Sequence, residues 1–61
     1  MPIIHMNLVE GRDDETIRNC VQEVSKTVSE TLDAPLESVR VIVNEVPKNR
    51  FSVGGKMKDE K

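Results

Sequence analysis

One cysteine in a chain of 61 residues is the feature that most limits what this sequence can become. A chain this short buries only about 60% of the surface it exposes when unfolded, which leaves it marginal alone. Small domains make up the difference with disulfides, a metal or association. Cys20 has no second cysteine to pair with. His5 is the only histidine, and His5 with Cys20 falls short of the four ligands a structural zinc site normally takes. Association is the remaining route, so the chain is expected to be an obligate oligomer, holding neither metal nor cofactor.

Charge narrows the choice of partners. Nine basic and eleven acidic residues give a net charge of -2, which does not make the basic footprint of a nucleic-acid binder. Lys48, Arg50, Lys56, Lys58 and Lys61 crowd toward the C-terminus, but Asp59 and Glu60 dilute them, and the run reads as a solvated tail. No apolar stretch approaches the about 20 residues that span a bilayer. The opening MPIIHMNLVEG lacks the basic region and cleavage site of a signal peptide. A lone cysteine suits a reducing, cytoplasmic setting.

Hydrophobic periodicity outlines the elements. In residues 3–9, IIHMNLV, the positions Ile4, Met6 and Leu8 share one face, and Ile3, His5, Asn7 and Val9 the other, as in a strand. Gly11 to Asp14 form a turn in which either aspartate can cap a helix. Ile17, Cys20, Val21, Val24, Val28 and Leu32 then recur every three or four residues, one face of a long helix on which Cys20 reads as a buried small hydrophobe. Glu23, Lys26 and Glu30 lie off that face and are spaced to pair with each other. Pro35 disfavours helical geometry at Ala34 and ends the run. Residues 39–46, VRVIVNEV, alternate again as a second strand, and the long crossover makes the two strands parallel and the connection right-handed. The helix covers one sheet face; the other keeps Ile3, Val9 and Ile42 and is expected to meet another subunit. The segment PKNRFSVGGK reads as a short hairpin or arm. The expected fold is α/β (α+β): one β-α-β unit with parallel strands plus a C-terminal hairpin, a single domain over residues 1–61.

Few residues are left to carry chemistry. There is no phosphate loop, no paired-cysteine motif and no ordered triad around His5, which is expected to be structural. Removal of Met1 would expose the secondary amine of Pro2. An ordinary α-amino group titrates near pH ~8, and nearby arginines or burial would lower that value toward a useful base. Many chains begin Met-Pro without catalytic meaning, so Pro2 alone decides nothing. Arg12 follows Gly11 in a loop, where a solvated role is the plain alternative. Arg40 sits between Val39 and Val41, where a guanidinium must reach solvent, join an ion pair or bind an anion. A substrate carboxylate held in two-point contact is the functional reading. Phe51, the only aromatic, suits a core, an interface or an apolar wall.

In combination these residues resemble the 4-oxalocrotonate tautomerase family. The resemblance rests on Met1-Pro2-Ile3, Leu8-Val9-Glu10-Gly11-Arg12, Glu23-Val24-Ser25, Leu32-Asp33-Ala34-Pro35-Leu36, Ser38-Val39-Arg40-Val41-Ile42, and Phe51 with Gly54-Gly55. It covers almost the whole chain. It implies a homohexamer built as a trimer of dimers, with sites combining residues of several subunits. It implies Pro2 as general base and then acid, moving a proton between a dienol oxygen and carbon. Arg40 would bind one carboxylate and polarise the neighbouring oxygen, and Arg12 would hold the distal carboxylate. Phe51 would keep the pocket apolar, and Ser38 and Val9 would line it. The substrate implied is an unsaturated dicarboxylate or 2-keto acid of the 2-hydroxymuconate kind. Two departures are Ser52, where the family often has glycine, and Pro47 on the approach to the arm.

Other activities compete on the same pattern. A dehalogenase or hydratase of an unsaturated acid would need a carboxylate to activate water, and Phe51–Lys56 offers none. A non-catalytic oligomeric module would be indifferent to Pro2. A ribbon-helix-helix DNA binder would need a second helix after residue 35, where the pattern is a strand and a glycine hairpin.

Overall fold

The computed structural model describes residues 1–60. Strand β1 (Ile3–Val9) leads into helix α1 (Asp14–Leu32), and strand β2 (Arg40–Val46) returns beside β1. A short antiparallel hairpin follows, β3 (Ser52–Val53) and β4 (Lys56–Met57). Single 3-10 turns at Leu36–Ser38 and Lys48–Arg50 lead into β2 and the hairpin; neither was expected from the pattern. β1 and β2 pair in parallel, from Ile3 opposite Arg40 to Val9 opposite Val46.

The helix boundaries have local causes. Asp13 is the N-cap, and its carboxylate accepts the Thr16 N–H at 3.0 Å. Asp14 and Glu15 add negative charge to the first turn, where the helix dipole favours it. At the other end Asp33 turns left-handed (φ 53°) and its N–H reaches the Ser29 carbonyl. The helix stops there, two residues before Pro35. Arg18 pairs with Asp14 at 2.6 Å. Among the described residues this is the one ion pair, so Glu23, Lys26 and Glu30 do not use their spacing.

Packing is thin. The half-buried helix positions are Ile17, Val21, Val24, Ser25, Val28 and Ser29, facing Ile4, Met6 and Leu8 of β1 and Val41 and Val43 of β2. Cys20 is exposed rather than buried, and Leu32 is 64% exposed. A two-stranded sheet is only about 5 Å from strand axis to strand axis, so it covers the middle of the apolar stripe and leaves its flank, where Cys20 sits, uncovered. A 19-residue helix is also longer, at about 28 Å, than a seven-residue strand at about 23 Å, which leaves the last turn overhanging.

No side chain is fully buried among the described residues. The chain exposes 4902 Å², where a folded monomer of its mass averages about 4000 Å². It forms a slab of 44 × 24 × 13 Å with a radius of gyration of 14.5 Å, against about 10.5 Å for a compact domain of this length. The uncovered sheet face carries Ile3 and Ile42, each about half exposed, together with His5, Arg40 and the cross-strand pair Asn7–Asn44, whose amides meet at 3.2 Å. No helix among the described residues is long and apolar enough to cross a membrane.

The Asp13 cap gives a pH-dependent prediction. Hydrogen bonds from the Thr16 side chain and then its backbone N–H hold the Asp13 carboxyl below its ordinary pKa of 3.8. A depressed carboxylate pKa stabilises the fold above the unfolded value, and that share is lost as pH falls through the folded value. Asp13→Ala lowers the thermal midpoint at neutral pH, and Asp13→Asn, which keeps an acceptor, lowers it less. Melting curves at neutral pH and near pH ~3 check this: the gap between wild type and Asp13→Asn narrows in acid.

Candidate active site

The structure sorts the candidate residues into two groups at opposite ends of the parallel pair. At the starting end, the Arg40 N–H donates to the Pro2 carbonyl at 2.9 Å, which continues the β1–β2 ladder backward by one residue and sets Pro2 beside Arg40. The turn at Leu36–Ser38 supports this end. Ser38 donates its hydroxyl to the Pro35 carbonyl at 2.7 Å, and Arg40 Nη1 donates to the Glu37 carbonyl at 3.1 Å. Arg40 is exposed and has no carboxylate partner among the described residues. Its charge is therefore available to an anion, and the structural ion pair weighed for it is absent. Pro2 is half-buried, while Met1 is 78% exposed.

The finishing end of the strands holds Val9, Arg12 and Phe51. The Glu10 N–H donates to the Val46 carbonyl at 2.9 Å and closes the ladder. Gly11 then turns at φ 134°, a conformation that side-chain-bearing residues rarely hold. Arg12 emerges from this turn with Nη1 donating to the Val9 carbonyl at 3.2 Å. The arm brings Phe51 to the same end. Between them lies a cavity of about 340 Å³, with Leu8, Val9, Val46 and Phe51 as apolar lining and Asn7, Arg12 and Lys58 as polar lining. It holds two cations and no carboxylate.

Asn7, Leu8, Val46 and Lys58 were not among the sequence candidates. Lys58 in particular read as part of a solvated tail. Gly54 and Gly55 have φ of 60° and 84°, the paired positive values of a tight hairpin turn. The turn pairs Val53 with Lys56 and Ser52 with Met57, and the Lys58 N–H then donates to the Phe51 carbonyl at 2.8 Å. The Gly-Gly pair between short apolar runs was the available signal, since a two-residue loop counts Phe51 directly opposite Lys58. Ser52 sits in the hairpin ladder, so the departure from glycine there is accommodated by regular pairing.

The two groups do not meet within one chain. Six residue steps separate Ile3 from Val9, about 20 Å of extended strand. Pro2, Ser38 and Arg40 lie at one end and Val9, Arg12 and Phe51 at the other.

Parallel strands joined by a helix, a terminal hairpin and arginines at both strand ends define a small β-α-β protein of the tautomerase type, and comparison with known proteins agrees. The family described as "Tautomerase enzyme" matches residues 2–61. A 2-hydroxymuconate tautomerase of Pseudomonas putida is 51% identical over 55 residues, which is 90% of this chain and 87% of that protein. A 4-oxalocrotonate tautomerase isozyme of Methylibium petroleiphilum is 44% identical with a TM-score of 0.89, covering 93% of this chain and 89% of its own. A heterohexameric 4-oxalocrotonate tautomerase from Chloroflexus aurantiacus is 32% identical with a TM-score of 0.93, covering 98% of this chain and 97% of its own. The chain belongs to the tautomerase family, and its activity is that of an isomerase interconverting keto and enol forms.

The Gly11 turn can be tested directly. A Cβ built at Gly11 meets nothing within 4 Å, so the cost of Gly11→Ala is one of backbone conformation, about 1–3 kcal/mol. Chemical denaturation should show that loss. The assay described below should show a raised KM, because Arg12 hangs from the same turn.

Proposed function

We propose that this tautomerase ketonises 2-hydroxymuconate or a closely related 2-hydroxydienoate, with the amine of Pro2 as proton carrier once Met1 is removed. The observation that supports it best is the hydrogen bond between the Arg40 backbone N–H and the Pro2 carbonyl, which sets the two residues side by side at one end of the sheet. While Met1 is attached the Pro2 nitrogen is an amide and carries no basic lone pair. Its removal creates a secondary amine. In its neutral form that amine takes the proton from the dienol hydroxyl, and it returns the proton to carbon as the ketone forms. Negative charge spreads over the oxygen and the diene during the transfer. A guanidinium fixed at that oxygen stabilises it without reorganising, the type of assistance that contributes most in many enzymes. Arg40 takes this role together with the adjacent carboxylate, and Ser38 supports the turn that carries it. Arg12 holds the distal carboxylate, and Phe51 with Val9 excludes water, which strengthens these charge interactions.

One substrate cannot bridge ends about 20 Å apart, so the reading requires self-association. The starting end of one subunit meets the finishing end of another, and the bare sheet face is covered in the same assembly. The excess exposed surface and the half-exposed Ile3 and Ile42 supply an apolar driving force. A homohexamer accommodates these contacts, and the relative from Chloroflexus is itself a heterohexamer. The cytoplasm is the compartment proposed, on the ground of the lone free thiol.

The test is ultraviolet-monitored ketonisation of 2-hydroxymuconate by protein whose intact mass shows Met1 gone. Turnover well above background, lost on acylation of Pro2, is expected; background rates would overturn the substrate reading. Arg40→Ala lowers kcat by about 100-fold or more, as loss of one fixed oxyanion donor does elsewhere. Arg12→Ala acts mainly on KM. Small, equal effects of both changes would count against the roles given.

Mixing two defective variants tests the shared site. Pro2→Ala and Arg12→Ala subunits, dissociated and reassembled together, place an intact Pro2 opposite an intact Arg12 in about a quarter of two-chain sites if partners are chosen at random. Activity is therefore regained on mixing. No recovery, with mixed assemblies confirmed by mass, would require both residues to act within one chain.

A further inference from the structure

We propose that Lys58 is a specificity-determining residue of this site, which together with Arg12 selects substrates carrying a second, distal carboxylate over monocarboxylates. The inference rests on the dienol reading above and extends it to a residue with no role so far.

Three observations carry it. Lys58 and Arg12 line the same cavity of about 340 Å³, which contains no aspartate or glutamate. Each residue is anchored at that end by one hydrogen bond. The Lys58 N–H is fixed to the Phe51 carbonyl at 2.8 Å, and the Arg12 guanidinium is tied to the Val9 carbonyl at 3.2 Å. Among the described residues the one ion pair is Arg18 with Asp14, so neither cavity cation is neutralised by a protein carboxylate.

Two uncompensated cations at one mouth repel each other, and an anion between them relieves the repulsion while gaining two charge-assisted contacts. A carboxylate suits the pair: Arg12 offers a planar fork and Lys58 a point charge on a flexible stem. The walls around them, Leu8, Val9, Val46 and Phe51, accept the unsaturated carbon chain that leads to the anion. A monocarboxylate whose one acid group is bound at Arg40 would leave the two cations facing apolar carbon. Its binding would incur their desolvation without compensation.

The experiment compares wild type, Lys58→Gln and Lys58→Arg with a 2-hydroxydienedioate and with the 2-hydroxydienoate lacking the distal acid. A charged hydrogen bond is commonly worth a tenfold change or more, so the ratio of kcat/KM, diacid over monoacid, should fall about tenfold in Lys58→Gln. The fall should lie in KM for the diacid rather than in kcat, and Lys58→Arg should restore most of the ratio. A ratio unchanged in Lys58→Gln would overturn the proposal, as would a loss that Lys58→Arg does not repair. The same variants are titrated calorimetrically with adipate and with hexanoate, saturated acids that need no turnover. Loss of the adipate preference in Lys58→Gln supports the role of Lys58 even if the wild type turned over neither dienol, a result that would overturn the substrate reading alone. An adipate preference retained in Lys58→Gln overturns the role of Lys58 whatever the turnover.

Discussion

Parallel pairing of β1 with β2 requires the chain to travel back to its starting end, and helix α1 is that return. Both strands therefore begin at one end of the sheet and finish at the other. The chain before β1 and the turn before β2 are brought together, which sets Pro2 beside Arg40. The turn after β1 and the arm after β2 are likewise brought together, which sets Arg12 beside Phe51 and Lys58. Register does the positioning: Ile3 opposite Arg40 and Val9 opposite Val46 leave no free choice at either end. A slip of one residue would turn Arg40 to the helix side and Val41 and Val43 away from it, so burial of the helix face also fixes the register at the two ends.

The same economy leaves half the sheet uncovered. One helix protects one face, and the other presents Ile3 and Ile42 beside His5, Asn7 and Asn44. A second subunit could cover it at low polar cost, because the hydrogen bond from the Asn44 amide to the Asn7 amide oxygen already satisfies one donor and one acceptor within the chain. Arg40 shares this face but occupies the first position of β2, at the rim, where a guanidinium can stay hydrated or meet an anion. Folding thus draws on one face of the sheet, and association and the proposed assembly of a complete site draw on the other.

Much of this could be read from residue order. The alternation in IIHMNLV and RVIVNEV is strong because one face of each strand meets the helix and the other does not. The three-or-four spacing of Ile17, Val21, Val24 and Val28 marked the buried stripe for the same reason. Periodicity reports which side of an element is apolar; it does not report how wide the opposing surface is. Cys20 was misjudged on that account, since its flank extends past a sheet only two strands wide. Lys58 was missed for a different reason. Charge density near a chain end resembles a solvated tail unless the hairpin register is followed, and here two glycines at positive φ fold the tail back onto Phe51. Pro2 and Arg40 carried no local signal of proximity. Only the parallel register shows that residues 38 positions apart are neighbours.

The proposed division of labour has a physical consequence for how such a site can vary. In the proposed reaction, proton transfer needs Pro2 and Arg40 in a tight mutual geometry, and the backbone hydrogen bond between them lies within one chain, at the start of the parallel pair. Recognition of the distal group is assigned in that proposal to Arg12 after a glycine turn and to Phe51 and Lys58 on an arm. Loops and arms tolerate replacement better than strand interiors do. Changes at the finishing end can therefore alter which anion is preferred while leaving the proton carrier and its oxyanion partner as they are. In the proposed assembly the two ends are joined through a subunit contact, which makes the rigidity of that contact the quantity that limits how accurately a substrate is presented to the proline.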